Sequence, residues 1–304
     1  MIYAGILILA LLIESQFRFS VIDYLQPITY FLHFHCLERI PLSSSSAPEL
    51  KAIICGENFT GASSQIFVAS GLIHLFVVSG AHLIILEKIL ISILFIEGKA
   101  SQIFILSFLF IYALACEMNP PITRSFISIL FSLILFHKHL YWPENYKLFL
   151  VGVLTLAVNP SWLNSLSLQL SWMAALVVSL SHLYFLKSGI LFKQFLFFIF
   201  LWPFLIFFQV PSPTIIIANL ILTPFLEIFL FPLALLVWLF PFLYTLFDSI
   251  ILSLKTVLHL LEFKLTYQDL SPNSSTVLFG WALILTTHFI LHFTEMNQRR
   301  QTHV

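Results

Sequence analysis

From about residue 66 onward the chain is almost continuously apolar, and the polar breaks in that run mark its elements. Breaks fall at 97–102, 119–121, 137–147, 159–162, 187–193, 209–213, 240–241 and 262–274. The segments between them show no period-2 alternation, which selects helices over membrane strands. Backbone groups in lipid must be satisfied within the protein, so the pattern predicts an all-α, polytopic helical membrane protein. It has about 8–10 hydrophobic segments, some broken or re-entrant. The stretch 214–240 holds Pro224 and Pro232. It reads as one kinked long helix or as two half-helices.

Four regions follow. Residues 1–13 form a short hydrophobic anchor with no positive leading region or small-residue cleavage site. Residues 14–65 are the most polar part, with a loop by composition at Ser43–Glu49 and a small ordered piece at Lys51–Gly61. Residues 66–293 form the transmembrane domain, and 294–304 a tail. Lys99, then Lys138 and Lys147, then Lys187 and Lys193 occupy every second connection, while the turns at 119–121, 159–160 and 209–213 carry no Lys or Arg. By the positive-inside rule the lysine loops are cytoplasmic. Counting 214–240 as one crossing places Arg299-Arg300 inside and residues 14–65 outside, with Lys264 as the exception.

Composition sharpens the class. The chain of 304 residues is 60% hydrophobic and 9% charged, with mean hydropathy +1.00; soluble domains carry about 25% charged residues. Net charge is zero. The basic footprint of a nucleic-acid binder is therefore absent in bulk, and any such path would have to gather the few cations along it. Cys116 reads as a small apolar residue within a span. Cys36 and Cys55 lie in the polar region and pair if it faces an oxidising compartment; the sequence leaves that open.

Polar groups inside apolar segments are the candidates for function, because they are costly there. Gly71–Glu87 reads GLIHLFVVSGAHLIILE. On one helix His74 and His82 lie about 80° apart and line one broad face, while Ser79-Gly80 permits a break or a close helix approach. The plainer account has the histidines capping or pairing within a bundle. No third ligand lies nearby, so metal binding is not expected. In NPPITRSFISILF, Pro120-Pro121 open a helix and Arg124 lies near its start. It is either a fixed charge meeting phosphate at an outer mouth or an arginine snorkelling to headgroups. Gln169 sits within an apolar helix and calls for an interhelical partner or a pore contact. Asn219, Pro224 and Glu227 lie in the proline-broken stretch, which is a pore wall or a simple kink. Glu227 would repel phosphate and receives no role. His33–Glu38, HFHCLE, is a cluster of possible metal ligands that begins like a nuclease HxHxDH motif, but no Asp-His follows. The 34 phenylalanines serve lipid contact and packing, or base stacking.

These segments together resemble the ComEC/Rec2 competence proteins. Gly71, Leu72, His74, Leu75, Ser79, Gly80 and His82 match the signature GLxHLLAxSGxHV. Arg124 matches a Pro-x-x-x-Arg segment. Pro160, Gln169, Leu170, Ser171 and Ala174 match a third segment, and Ala218, Asn219, Leu220 and Pro224 a fourth. Gly56-Glu57 lies near where the family has a short Gly-Glu/Asp segment. The resemblance covers about residues 50–260, in the family's order, and it implies a channel component carrying single-stranded DNA across a bacterial inner membrane during natural transformation.

On this reading the motif and pore candidates are His74, Ser79, Gly80, His82, Arg124, Gln169, Asn219 and Pro224. The chain would be the membrane competence domain nearly alone, without the family's metallo-β-lactamase-like domain. It would have no catalytic site, metal or cofactor. Its partners would be single-stranded DNA, membrane lipid, a separate nuclease, a DNA receptor, a cytoplasmic ATPase and further copies of itself. The alternatives are a non-conducting scaffold or degenerate homologue, and a small-solute transporter with its site at the broken helix.

Overall fold

Apolar runs whose backbone bonds close within the segment become helices, and in the computed structural model every regular element among the described residues is helical. The described residues are 20–59, 62–70, 72–76, 78–94, 98–184, 189–205, 222–223, 226–260 and 274–302. The 1–13 anchor, Asn219, Pro224 and the 261–273 connection lie outside them. The helices are α1 Val21–Glu38, α2 Ala47–Cys55, α3 Ala62–Ala69, α4 Gly80–Leu94, α5 Lys99–Ala115 and α6 Pro120–His137. They continue as α7 Glu144–Val158, α8 Leu166–Tyr184, α9 Ile190–Leu205, α10 Phe231–Leu239, α11 Tyr244–Leu260 and α12 Ser274–Thr302. Short 3-10 turns stand at Leu72–Phe76, Pro160–Asn164 and Pro241–Leu243, and a π turn at Leu226–Leu230.

The all-α, polytopic class expected from the sequence holds. Among the described residues, four segments are long and apolar enough to cross a membrane: Pro120–His137, Leu166–Leu183, Pro241–Leu260 and Ser275–Asn297. Lys99–Ala115, Phe195–Phe204 and Leu226–Leu239 are shorter apolar helices.

The chain divides into two units. One comprises Met1–Tyr24, Thr123–Phe208 and Asp269–Val304; the other comprises Leu25–Ile122 and Gln209–Gln268. In the first, α8 packs against α7, α9 and α12. Its core is large and aromatic, with Phe149, Trp172, Phe204 and Trp281 buried among leucines. Gly152 exists because the Trp172 ring lies directly on it, leaving no room for a Cβ.

In the second unit α2 is the buried centre, with Leu50, Ala52, Ile53, Ile54 and Cys55 all at 1% exposure or less. It packs against α10 and the Leu72–Phe76 turn, while α4 packs against α5 and the π turn. Residues 14–65 therefore hold more order than their polarity indicates. The serine run is a turn, but Glu49 belongs to the first turn of α2 rather than to a loop. Asp248 of α11 holds that turn: its carboxylate accepts from Ser44 Oγ at 2.6 Å, Ser45 N–H at 3.0 Å and Ser46 N–H at 3.1 Å. An acid at a helix start meets orphan amides and the positive end of the helix dipole. Cys36 and Cys55 form a disulfide, with Cα atoms 5.8 Å apart, joining α1 to the end of α2. Gly56 then closes α2 in the left-handed conformation, φ +74°, its amide returning to Ala52 O at 3.2 Å.

Trp238 Nε1 donates to Cys36 O at 3.0 Å, Arg39 lies 5.1 Å from the Trp238 ring centre, and Asp248 binds the serine turn. The 238–248 stretch thus lies beside residues 36–46. Residues 214–221 of the proline-broken stretch lie outside the described residues.

Candidate functional site

The signature stretch is not one helix. Leu72–Phe76 is a 3-10 turn and α4 begins only at Gly80, so His74 and His82 do not share a helical face. The break follows from the sequence: Ser79 immediately precedes the helix and His82 lies three residues on, the spacing of a capping box. His82 Nδ1 accepts the Ser79 N–H at 3.0 Å, with Ser79 Oγ 3.5 Å away. The Ser-Gly-Ala-His motif is thus a helix start whose histidine satisfies an orphan amide. An amide can only donate, so Nδ1 is the acceptor and the neutral ring carries its proton on Nε2. His82 is 2% exposed and stacks on Phe231 of α10, ring centres 4.5 Å apart. Below the 3-10 turn, Phe59, Phe67 and Phe76 form an aromatic cluster. The backbone of His74 belongs to the turn, and its side chain lies outside the described residues.

A narrow gap beside His82 is lined by Ile53, Leu226, Glu227, Leu230 and Phe231. The second unit also holds an ion pair, with one member buried, that the sequence did not single out. Glu49 is fully buried, and its Oε1 lies 2.6 Å from Lys255 Nζ. Neither Glu49 oxygen makes an aligned hydrogen bond, so charge attraction rather than hydrogen bonding carries the contact.

In the first unit two of the family-like segments meet. Arg124 of α6 donates from Nε to Ser171 Oγ of α8 at 3.0 Å. It is 8% exposed, so it does not reach out as a snorkelling arginine would. Two residues before Ser171, Gln169 is fully buried and its Nε2 donates to Val277 O of α12 at 3.0 Å. Its Oε1 is buried without a hydrogen bond, pressed against Gly280, where a Cβ would collide with it. Gln169 is therefore a helix–helix tie, the plainer of its two expected roles.

Further along α8, Trp172 Nε1 donates to His288 Nε2 at 2.9 Å, and His288 Nδ1 lies 2.8 Å from Asn145 Oδ1. An indole N–H can only donate, so His288 is neutral with its proton on Nδ1, which it gives to Asn145. The Asn145 backbone N–H donates to Glu295 Oε1 at 3.2 Å. This chain ties α7, α8 and α12 through buried polar groups. Sequence reasoning passed over Asn145, His288 and Glu295; a histidine and an asparagine in apolar helices were the available signal.

The His33–Glu38 cluster does not converge. His33 Nδ1 lies 2.9 Å from Ala115 O, His35 pairs with Glu38 at 3.1 Å, and Cys36 is in the disulfide.

A family model described as Competence protein matches residues 56–296. No curated protein and no solved structure matches the chain. The matched span contains the cap of α4, Arg124 with its Ser171 partner, and the Gln169 tie. The chain is thus a multi-pass membrane protein that belongs to the ComEC/Rec2-type competence family, a family associated with DNA uptake during transformation.

Proposed function

We propose that this protein is an inner-membrane channel component through which single-stranded DNA passes into the cytoplasm. The observation that carries the reading is Arg124. It is a buried guanidinium whose hydrogen bond among the described residues goes to a neutral serine, and no carboxylate pairs with it there. A buried cation is costly without a counter-charge, and a passing phosphate supplies one in the fork geometry that arginine favours. A strand with one charge per nucleotide needs such points along a polar path.

The role is transport rather than catalysis. Strand degradation, DNA capture and energy supply then fall to a separate nuclease, a receptor and a cytoplasmic ATPase, and further copies of the chain complete the lining. The disulfide-bearing segment faces the oxidising side of the membrane.

The test follows labelled duplex DNA in a deletion strain, separating label held outside the inner membrane from label in the cytoplasm. Loss of cytoplasmic label with outer binding intact, restored by the wild-type copy, is the expected result. Unchanged passage in a strain that takes up DNA overturns the reading.

A further inference from the structure

Glu227 is the ionisable residue of the π turn LEIFL, within an apolar helix of the second unit. π turns are rare and recur at functional sites, and an ionisable group at such a place calls for a named partner. The gap supplies it: Glu227 and His82, from elements far apart in sequence, line the same narrow space.

Among the described residues, the other charged groups on the elements packed around this gap lie elsewhere. On α2, Glu49 is held by Lys255, and Lys51 lies 4.0 Å from Glu57. On α4, Glu87 and Lys88 stand more than a turn beyond His82. α10 carries no ionisable residue. Of these groups, His82 alone lines the gap with Glu227.

We infer that Glu227 and His82 form a proton-binding pair within the membrane domain. The two ligating side chains that line the gap among the described residues are too few to close a metal shell, whereas a proton needs one lone pair. The geometry also says where the proton goes. Protonation of His82 at Nδ1 would turn the acceptor of the Ser79 amide into a donor and uncap α4. The added proton therefore bonds to a Glu227 carboxylate oxygen, and loss of that proton leaves the carboxylate facing the neutral imidazole. His82 acts as a positioning residue for this exchange. The inference does not depend on DNA passage.

The test uses the full chain in phosphatidylcholine vesicles without DNA. A hydrophobic carbodiimide reacts with protonated carboxyls in apolar surroundings, and peptide mass spectrometry locates the adduct. Expected is an adduct on Glu227 at neutral pH whose yield falls as pH rises. His82→Asn, which keeps an acceptor for the Ser79 amide, is expected to move the half-labelling pH by at least about half a unit. Absence of a Glu227 adduct between pH 5 and pH 8 in the wild-type protein overturns the proposal, and so does the same half-labelling pH in wild type and His82→Asn. The wild-type arm needs no variant to fold, and its outcome is independent of whether the protein conducts DNA.

Discussion

The Glu49 carboxylate, fully buried in α2, lies 2.6 Å from the Lys255 ammonium of α11. Removing one member strands the other, and breaking a buried pair costs about 3–5 kcal/mol. Lys255→Met is therefore expected to lower the thermal stability of detergent-solubilised protein strongly. The double variant Glu49→Leu/Lys255→Met is expected to recover most of the loss. Thermal aggregation followed by size-exclusion chromatography reads both; a Lys255→Met protein as stable as wild type would show that the pair carries no weight.

His288 bridges Trp172 and Asn145. Replacing it with leucine leaves the indole N–H and the Asn145 oxygen without the bonds seen here, at about 1–3 kcal/mol for each buried group. Trp172→Phe in the His288→Leu background removes the stranded donor, so the two changes are expected to be less than additive in a double-mutant cycle.

Gly280 faces Gln169 Oε1 and lies where a Cβ would come within 2.9 Å of Phe204 Cε1. Gly280→Ala is expected to separate α8 from α12 and reduce stability by about 1–3 kcal/mol, the range of overpacking. Gln169→Ala in the same chain opens the space and returns part of it. Equal losses in the single and double variants would argue against the contact.

How much of this was legible in the sequence differs by kind of interaction. Helical class was, because in lipid each apolar run must close its own backbone bonds and its length announces it. The special role of Ser79 and His82 was visible as residue type, but not as a cap. The sequence offered a break at Ser79-Gly80, and α4 does begin there; the Ser-x-x-His spacing that caps the new helix went unread. Gln169 declared the need for a partner without naming it, since the partner is the backbone carbonyl of Val277, which has no sequence signature. Glu49 and Lys255 could not be paired by inspection, because two charges distant in the chain carry no mark of proximity. Glu49 was also taken as part of the serine loop, where composition outweighed the helix start that Asp248 completes from α11.

Arg124 tests the channel reading. If Arg124 meets phosphate as proposed, Arg124→Ala is expected to reduce cytoplasmic DNA by about tenfold or more while leaving protein level unchanged. Arg124→Lys is expected to restore part of it, keeping charge but not the fork. Full uptake by Arg124→Ala at normal protein level would remove this residue from the path.

The disulfide closes a loop over a sequence separation of 19 residues, and such a loop stabilises by roughly 3 kcal/mol in the chain-entropy account. Cys36→Ser is expected to lower the amount of protein in membranes, most visibly at elevated growth temperature, by immunoblot against an untouched membrane marker.

The same sulfur chemistry has a practical side. Two of the three cysteines are joined to each other, and Cys116 is fully enclosed, its thiol donating to Ile54 O at 3.4 Å under the close approach of Gly56. The folded protein should therefore be silent toward membrane-impermeant maleimides. A single cysteine placed at Lys138, at Leu42 or near Arg299 would then report its own sidedness against a blank background, with no native cysteine removed.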